Sequence, residues 1–312
     1  MTMNENIKRL RSSTLIKEKS FGRISSFNFT RKAFFNSKWN ELTTKARGLF
    51  IDTENGRIVA RGYDKFFNVD ENQNNRRSVL RKKLAFPVQA YRKENGFLGL
   101  ISWDDENECI QFSSKSALSP EGSFANMLKD IFERIVQNPN DVINVLKETN
   151  GTILVEVIDP IRDPHIIEYK GCDLIVLDIV KNQWDTEVIP YSKLLVYCRE
   201  MGLKCKQLCE TYETWVELEK AIDLWQTVEY REYGDPVEGY VVVDRNGFMF
   251  KVKTGYYTKW KKLRWKAGNI IAGGELNDDD EFLKWVYDRK KNGFISGNES
   301  IIELRNQYEA LG

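Results

Sequence analysis

Lys93-Glu94-Asn95-Gly96 lies between two strand-like runs, 84–91 and 97–103, and the reading of this stretch decides the fold. A lysine held at a strand boundary can attack a nucleotide phosphate and form a phosphoramide, provided its ammonium first loses a proton. The free pKa is about 10.4, and burial, cationic neighbours or a nearby metal lower it. The same Lys-x-x-Gly spacing recurs at Lys45 and Lys290, so spacing alone selects nothing. Lys93 is singled out by three downstream stretches: Val-Glu-Val (155–157), Val-Glu-Gly-Tyr-Val-Val (237–242) and Phe-Lys-Val-Lys-Thr (250–254). Lys290 has no comparable sequel, and Lys45 precedes the series.

Alternation in Phe250-Lys251-Val252-Lys253 puts both lysines on one strand face. That face is either solvated or suited to a triphosphate and its α-phosphate in flight. Glu156 and Glu238 each interrupt an apolar strand. A carboxylate there faces solvent or lines a pocket, where it can accept a ribose hydroxyl or hold Mg²⁺. Gly239 allows close backbone approach.

The surrounding elements read as α+β: a mainly antiparallel sheet assembly with helices and a small helical C-terminal piece. Residues 1–40 read as a polar arm packing on the body. Residues 46–52 and 57–61 form a hairpin about Asn55-Gly56, and 239–244 with 249–253 form another about Asn246-Gly247. A turn-rich basic segment covers 68–83, and 109–113 is a strand. Ser119-Pro120-Glu121 predicts a helix start running to about Gln137, with a second helix over 141–148. Strands are expected at 152–158, 166–169 and 174–179, and helices at 191–201, 212–225, 280–289 and 300–311. The domain division expected is 1–258 for the main body and 259–312 for the helical region.

Lys plus Arg number 47 against 46 Asp plus Glu, so the net charge of +1 calls for no polyanion globally. The cations nevertheless cluster, at Arg76, Arg77, Arg81, Lys82 and Lys83, and at Lys259, Lys261, Lys262, Arg264 and Lys266 around Trp260 and Trp265. Each run is either a solvated face or a phosphate-and-base surface. The five cysteines lack a paired framework, and Cys198, Cys205 and Cys209 are read in one helical stretch without a histidine, which argues against zinc. The single His165 excludes any mechanism needing a histidine pair. No apolar run approaches a membrane span and no secretory signal opens the chain, so a soluble, cytoplasmic protein is expected.

The ordered series resembles the covalent nucleotidyltransferases, specifically the RNA ligases of the phage T4 RNA ligase 1 and fungal tRNA ligase group. The resemblance is carried by Lys-Ala-Arg-Gly-Leu-Phe (45–50), Arg-Gly-Tyr-Asp-Lys-Phe-Phe-Asn (61–68), Lys-Glu-Asn-Gly (93–96), Glu156, Glu-Gly-Tyr-Val (238–241) and Lys-Val-Lys (251–253). It covers roughly residues 25–260, and Asn95 matches the fungal-like form of the lysine motif. It implies an adenylyltransferase domain that seals RNA 5′-phosphate and 3′-hydroxyl ends with ATP and Mg²⁺ or Mn²⁺. Lys93 would be adenylated. Arg47 and Lys65 would contact the nucleotide phosphates, along with Glu94, Asn95 and Gly96 of the lysine motif. Glu156 would bind ribose, Glu238 would help hold the metal, and Lys251 and Lys253 would steady the α-phosphate. Lys115 matches a further basic position, and Lys259 and Lys261 would meet RNA. The substrate would be broken RNA, with nicked tRNA a candidate. No Gly-x-x-x-x-Gly-Lys loop is present, so a separate end-healing kinase and phosphatase would be needed. Two alternatives remain: a DNA ligase or capping-type guanylyltransferase, or a relative that binds RNA or nucleotide without catalysis.

Overall fold

Asn55-Gly56 and Asn246-Gly247 each turn the chain between antiparallel strands, with Gly56 and Gly247 at φ 63° and 83°. The computed structural model describes residues 2–311. The chain runs α1 (Met3–Ser12), β1 (Ile16–Phe21), β2 (Ile24–Phe29), α2 (Arg31–Phe35), α3 (Glu41–Lys45), β3 (Leu49–Asp52), β4 (Arg57–Arg61), α4 (Arg77–Lys83), β5 (Val88–Lys93), β6 (Phe97–Asp104) and β7 (Cys109–Ser114). Next come α5 (Ser123–Ile135), α6 (Pro139–Thr149), β8 (Gly151–Ile158), β9 (Asp173–Lys181), α7 (Tyr191–Glu200), β10 (Lys204–Cys205), β11 (Leu208–Tyr212) and α8 (Trp215–Trp225). The chain closes with β12 (Gly239–Asp244), β13 (Met249–Lys253), α9 (Gly255–Ile271), α10 (Glu281–Lys291) and α11 (Ile301–Glu309).

These elements form two units. The first comprises the N-terminal segment up to Phe66, Gly96–Ile158 and Cys172–Gln207. It holds two sheets, β1-β2-β3-β4 and β10-β9-β8-β6-β7, antiparallel except for the short β10–β9 pair. Ile131, Phe132, Val145 and Leu194 of helices α5, α6 and α7 pack on the five-stranded sheet around Ile153, Val155 and Val176. Every residue of β8 is buried, which draws Glu156 inside with its apolar neighbours.

The second unit comprises Phe67–Asn95, Asp159–Gly171 and the chain from Leu208 onward. Its sheet has the order β11-β5-β12-β13, and α8 covers one face with Leu218, Ile222 and Trp225 against Ala90, Tyr240, Phe250 and Val252. Helices α9, α10 and α11 enclose a second core of Trp260, Leu263, Phe282, Leu283 and Leu304. Thus β5 and β6, which flank Lys93–Gly96, belong to different sheets, and the chain passes from one unit to the other between Asn95 and Gly96.

Several sequence expectations are corrected. Residues 1–40 are no arm, since β1 and β2 are half of a four-stranded sheet and α1 buries Ile7 and Leu10 with Phe27 and Leu49. Ser119 is no N-cap, because its hydroxyl bonds Asn126 Oδ1 at 2.7 Å and α5 starts after Gly122. The basic 68–83 segment contains α4. Residues 166–169 form no strand; Ile166 and Ile167 plug the core of the C-terminal helices, each contributing about 1.5–3 kcal/mol by burial. The three cysteines do not share a helix, because Gly202 at φ 65° ends α7 after Cys198 and leaves Cys205 and Cys209 on β10 and β11. Among the described residues no helix is long and apolar enough to cross a membrane.

Candidate active site

In the second unit, antiparallel pairing sets Gly239 opposite Lys93 of β5 on one side and opposite Lys253 of β13 on the other. Adjacent strands lie about 4.8 Å apart, so the two lysine backbones stand roughly 10 Å from each other. Glu238, one residue before β12, spans that gap. Its Oε2 lies 2.9 Å from Lys93 Nζ and its Oε1 lies 3.1 Å from Lys253 Nζ. Asn95 Nδ2 donates to the same Oε2 at 3.0 Å. Glycine is required at 239, since a Cβ there would meet the Val252 carbonyl oxygen at 2.0 Å.

Glu238 is only 4% exposed. Burial pushes its carboxyl up, but Lys93 and Lys253 outweigh that and hold it below the usual carboxylate range. Burial lowers the Lys253 ammonium; Glu238 opposes this, while Lys261 and Lys93 push it further down. The Tyr257 ring lies 4.6 Å from Lys253 Nζ, and burial together with Glu238 pushes its phenol up to about 12. Lys251 shares the strand face of Lys253, since Phe250 and Val252 point to the core. The Lys251 backbone bonds Phe67 and Val69.

A four-residue strap holds the lysine motif from behind. Lys93 Nζ donates to the Glu94 carbonyl at 3.1 Å. Asn95 N–H donates to Tyr169 Oη at 2.8 Å, and Tyr169 donates to Glu94 Oε2 at 2.8 Å. Ile167 N–H donates to Asn95 Oδ1 at 3.2 Å. The strap is gripped in turn by buried Arg305 of α11, which donates to the Ile166 carbonyl and to Tyr256 Oη at 2.9 Å each and pairs with Glu168. Sequence reasoning missed Tyr169 and Arg305. Their partners lie 74 and 139 residues away, so no local pattern points to them.

In the first unit, Gly96 N–H donates to Glu156 Oε1 at 2.9 Å, and a Cβ on Gly96 would meet the Val157 carbonyl oxygen at 2.1 Å. Arg47 comes just after α3; burial lowers its guanidinium, opposed by the charge of Glu156. Lys115, just beyond β7, is lowered by burial and then by Arg47 and Lys17, and its carbonyl accepts from Gly48 at 3.0 Å. The structure therefore groups Gly96, Glu156, Arg47 and Lys115 within this unit. Lys65 has its ammonium 4.8 Å from the Trp39 ring. Lys45 pairs with Asp64 and Asp185. Tyr63, quoted within the 61–68 stretch but given no role there, donates to Asp178, which also pairs with Lys206 at 2.7 Å. Lys259 and Lys261 lie on the exposed side of α9, whereas Trp260 between them is core.

Among the described residues no three His, Cys, Asp or Glu side chains cluster as a metal cage. The chain matches a family model described as RNA ligase, of the T4 RNA ligase 1 type, over residues 45–257. A tRNA ligase of Candida albicans is 25% identical over 321 residues, covering 88% of this chain and 38% of that protein. A tRNA ligase 1 of Schizosaccharomyces pombe is 32% identical over 141 residues, covering 42% of this chain and 18% of that protein. The chain thus spans well under half the length of these curated relatives. An archaeal ATP-dependent RNA ligase structure superposes with a TM-score of 0.60 at 13% identity, over 99% of this chain and 75% of that one. A putative ATP-dependent DNA ligase of Aquifex aeolicus superposes at 0.57 with 14% identity, over 99% and 76%. At these identities the two structures share the fold.

Proposed function

The chain belongs to the RNA ligase family, and from that premise we propose that it is an ATP-dependent RNA ligase working through a lysyl-AMP intermediate on Lys93. The observation that carries this reading is the Lys93–Glu238–Lys253 bridge, which fixes a lysine nucleophile beside a second ammonium.

Lys93 Nζ, once its proton has passed to solvent, attacks the α-phosphorus of ATP. A P–N bond forms, the P–O bond to pyrophosphate breaks, and pyrophosphate leaves. An RNA 5′-phosphate oxygen then takes the adenylyl group, breaking the P–N bond and returning the electron pair to Lys93. Finally an RNA 3′-hydroxyl attacks the activated 5′-phosphorus and AMP departs. Lys253, with Lys251 on the same strand face, neutralises charge on the transferring α-phosphate. Arg47, Lys65, Glu94, Asn95 and Gly96 are assigned to the nucleotide, Glu156 to its ribose, and Lys115, Lys259 and Lys261 to RNA.

A divalent cation fits the donor set only in part. Glu238 offers one carboxylate, already matched by two ammonium groups, which suits Mg²⁺ or Mn²⁺ held mainly by substrate phosphates rather than by a protein cage. Bound there, the cation would neutralise phosphate charge. The adenylyltransferase body proposed is residues 1–258, followed by the helical region 259–312. The substrate proposed is RNA with 5′-phosphate and 3′-hydroxyl ends, nicked tRNA among them, prepared by a separate end-healing kinase and phosphatase.

Incubation with α-labelled ATP or GTP tests the reading. ATP label on Lys93, lost in Lys93→Ala, supports it. Label from GTP moves the activity to capping, and no label on folded protein leaves a binder without catalysis.

A further inference from the structure

Helix α9, which starts directly after the Lys253-Thr254 end of β13, carries Lys259, Lys261, Lys262, Arg264 and Lys266 and no acidic residue in its 17 positions. In a chain of net charge +1, that concentration is a local field rather than a compositional accident. Only Lys266 finds a carboxylate, Asp278, among the described residues. Lys259, Lys261, Lys262 and Arg264 remain exposed without an ion-pair partner there.

Two further observations give this face a shape. A cleft of about 490 Å³ runs beside the helix, lined by Lys253, Lys259, Lys262 and Lys266 and also by Asp278 and Asp280. Positions 259, 262 and 266 fall on one helical stripe, and from Gly255 to Lys266 the stripe extends about 16 Å at 1.5 Å per residue. The cleft therefore includes a lysine of the candidate active site, Lys253, and leads past Lys259 and Lys262 to the Lys266–Asp278 pair. Trp265, one helical turn beyond Lys261 and Lys262, is 69% exposed, whereas Trp260 on the opposite side is core. An indole left in water beside a cationic row offers a flat apolar surface on which an unpaired base can stack.

The geometry points to α9 as the seat of an unpaired RNA strand, with Lys259 and Lys262 along its phosphates and Trp265 under one of its bases. This deepens the ligase reading and rests on it for the choice of RNA. It adds Lys262, Trp265 and the cleft to the positions expected to meet the substrate. A stacking indole favours a splayed strand, since bases in an A-form duplex have no free face.

The test uses the full chain without ATP and a 5′-phosphorylated single-stranded oligoribonucleotide, with fluorescence anisotropy read across salt concentrations. A blunt duplex of the same sequence is the comparison. Lys262→Ala should reduce the slope of log affinity against log salt by about 0.7, the value for one phosphate contact on a single strand. Trp265→Ala should weaken the single strand by about five- to a hundred-fold and leave the slope and the duplex unchanged. Both variants should still take AMP label from ATP at the wild-type level. Unchanged affinity and slope in Lys262→Ala, equal losses for strand and duplex in Trp265→Ala, or loss of labelling in either variant would overturn the proposal. A wild-type chain that bound the strand but took no label would sink the ligase reading and leave the strand seat standing.

Discussion

Lys93 Nζ lies 2.9 Å from Glu238 Oε2, and the carboxylate is almost wholly shielded from solvent. Glu238 titrates below its ordinary 4.5 because its two ammonium partners outweigh burial. A carboxyl with a depressed folded pKa contributes stability that is fully present above the unfolded value. That stability is lost as the pH falls through the folded value. Glu238→Gln should therefore unfold more easily in urea at pH 7, by about 2–3 kcal/mol given that both lysines are partly solvated. The gap should narrow below about pH 4. A gap of constant size across that range would mean that the charge of Glu238 is not what stabilises the fold.

Gly96 has no room for a methyl group, since its Cβ would sit 2.1 Å from a backbone oxygen of β8. Backbone cannot swing aside as a long side chain can. Gly96→Ala should cost about 2–4 kcal/mol and lengthen the Gly96–Glu156 hydrogen bond. Thermal unfolding and AMP labelling should both decline. Wild-type melting and labelling in the variant would show that the backbone yields.

Arg305 reaches the lysine motif only through the strap 166–169. Its role is positioning, and loss of the guanidinium should slow AMP transfer to Lys93 about tenfold, with little change in the ATP concentration for half-saturation. Arg305→Lys should recover part of the rate by keeping one bond to the Ile166 carbonyl. Tyr169→Phe, which removes the hydroxyl between Asn95 and Glu94, should give the same kinetic signature. If the Arg305 variants lose stability but label at the wild-type rate, the strap serves the helices alone.

Thiol reactivity should separate two cysteines that are close in sequence. A hydrogen bond from Cys198 lowers Cys205, with Lys206 adding to the effect, whereas burial and Glu232 push Cys209 up to about 12. The thiolate is the reactive form. Iodoacetamide at pH 8 should therefore label Cys205 well before Cys209 in peptide maps of the native chain. The reverse order would contradict the surroundings described for both.

In the second unit β5, β12 and β13 were readable in the sequence because their signals are local, whereas β11 was read as helical. Asn246-Gly247 marks a turn, and alternation sorts Phe250 and Val252 inward from Lys251 and Lys253. β1 is illegible for a physical reason. It is an edge strand, four of its six residues are exposed, and such strands carry charges that discourage further pairing. Ile166–Tyr169 has the composition of a strand, but the helical core took its isoleucines and the lysine motif took its polar groups. Ser119-Pro120 carries a cap signature, yet Asn126 claims the serine hydroxyl. In each case the deciding partner lies elsewhere in the fold, beyond what spacing can encode.

The partner of Lys93 is supplied 145 residues later in the chain. At about 5–20 residues per second, Glu238 is synthesised roughly 7–29 seconds after Lys93. For most of that interval β5 has no strand beside it, because β11 is made late in it and β12 only after it. Lys93, Glu238 and Lys253 therefore meet only when the chain closes a loop of 145 residues. Pairing of β5, β12 and β13 and assembly of the Lys93–Glu238–Lys253 bridge are, for this sheet, one event.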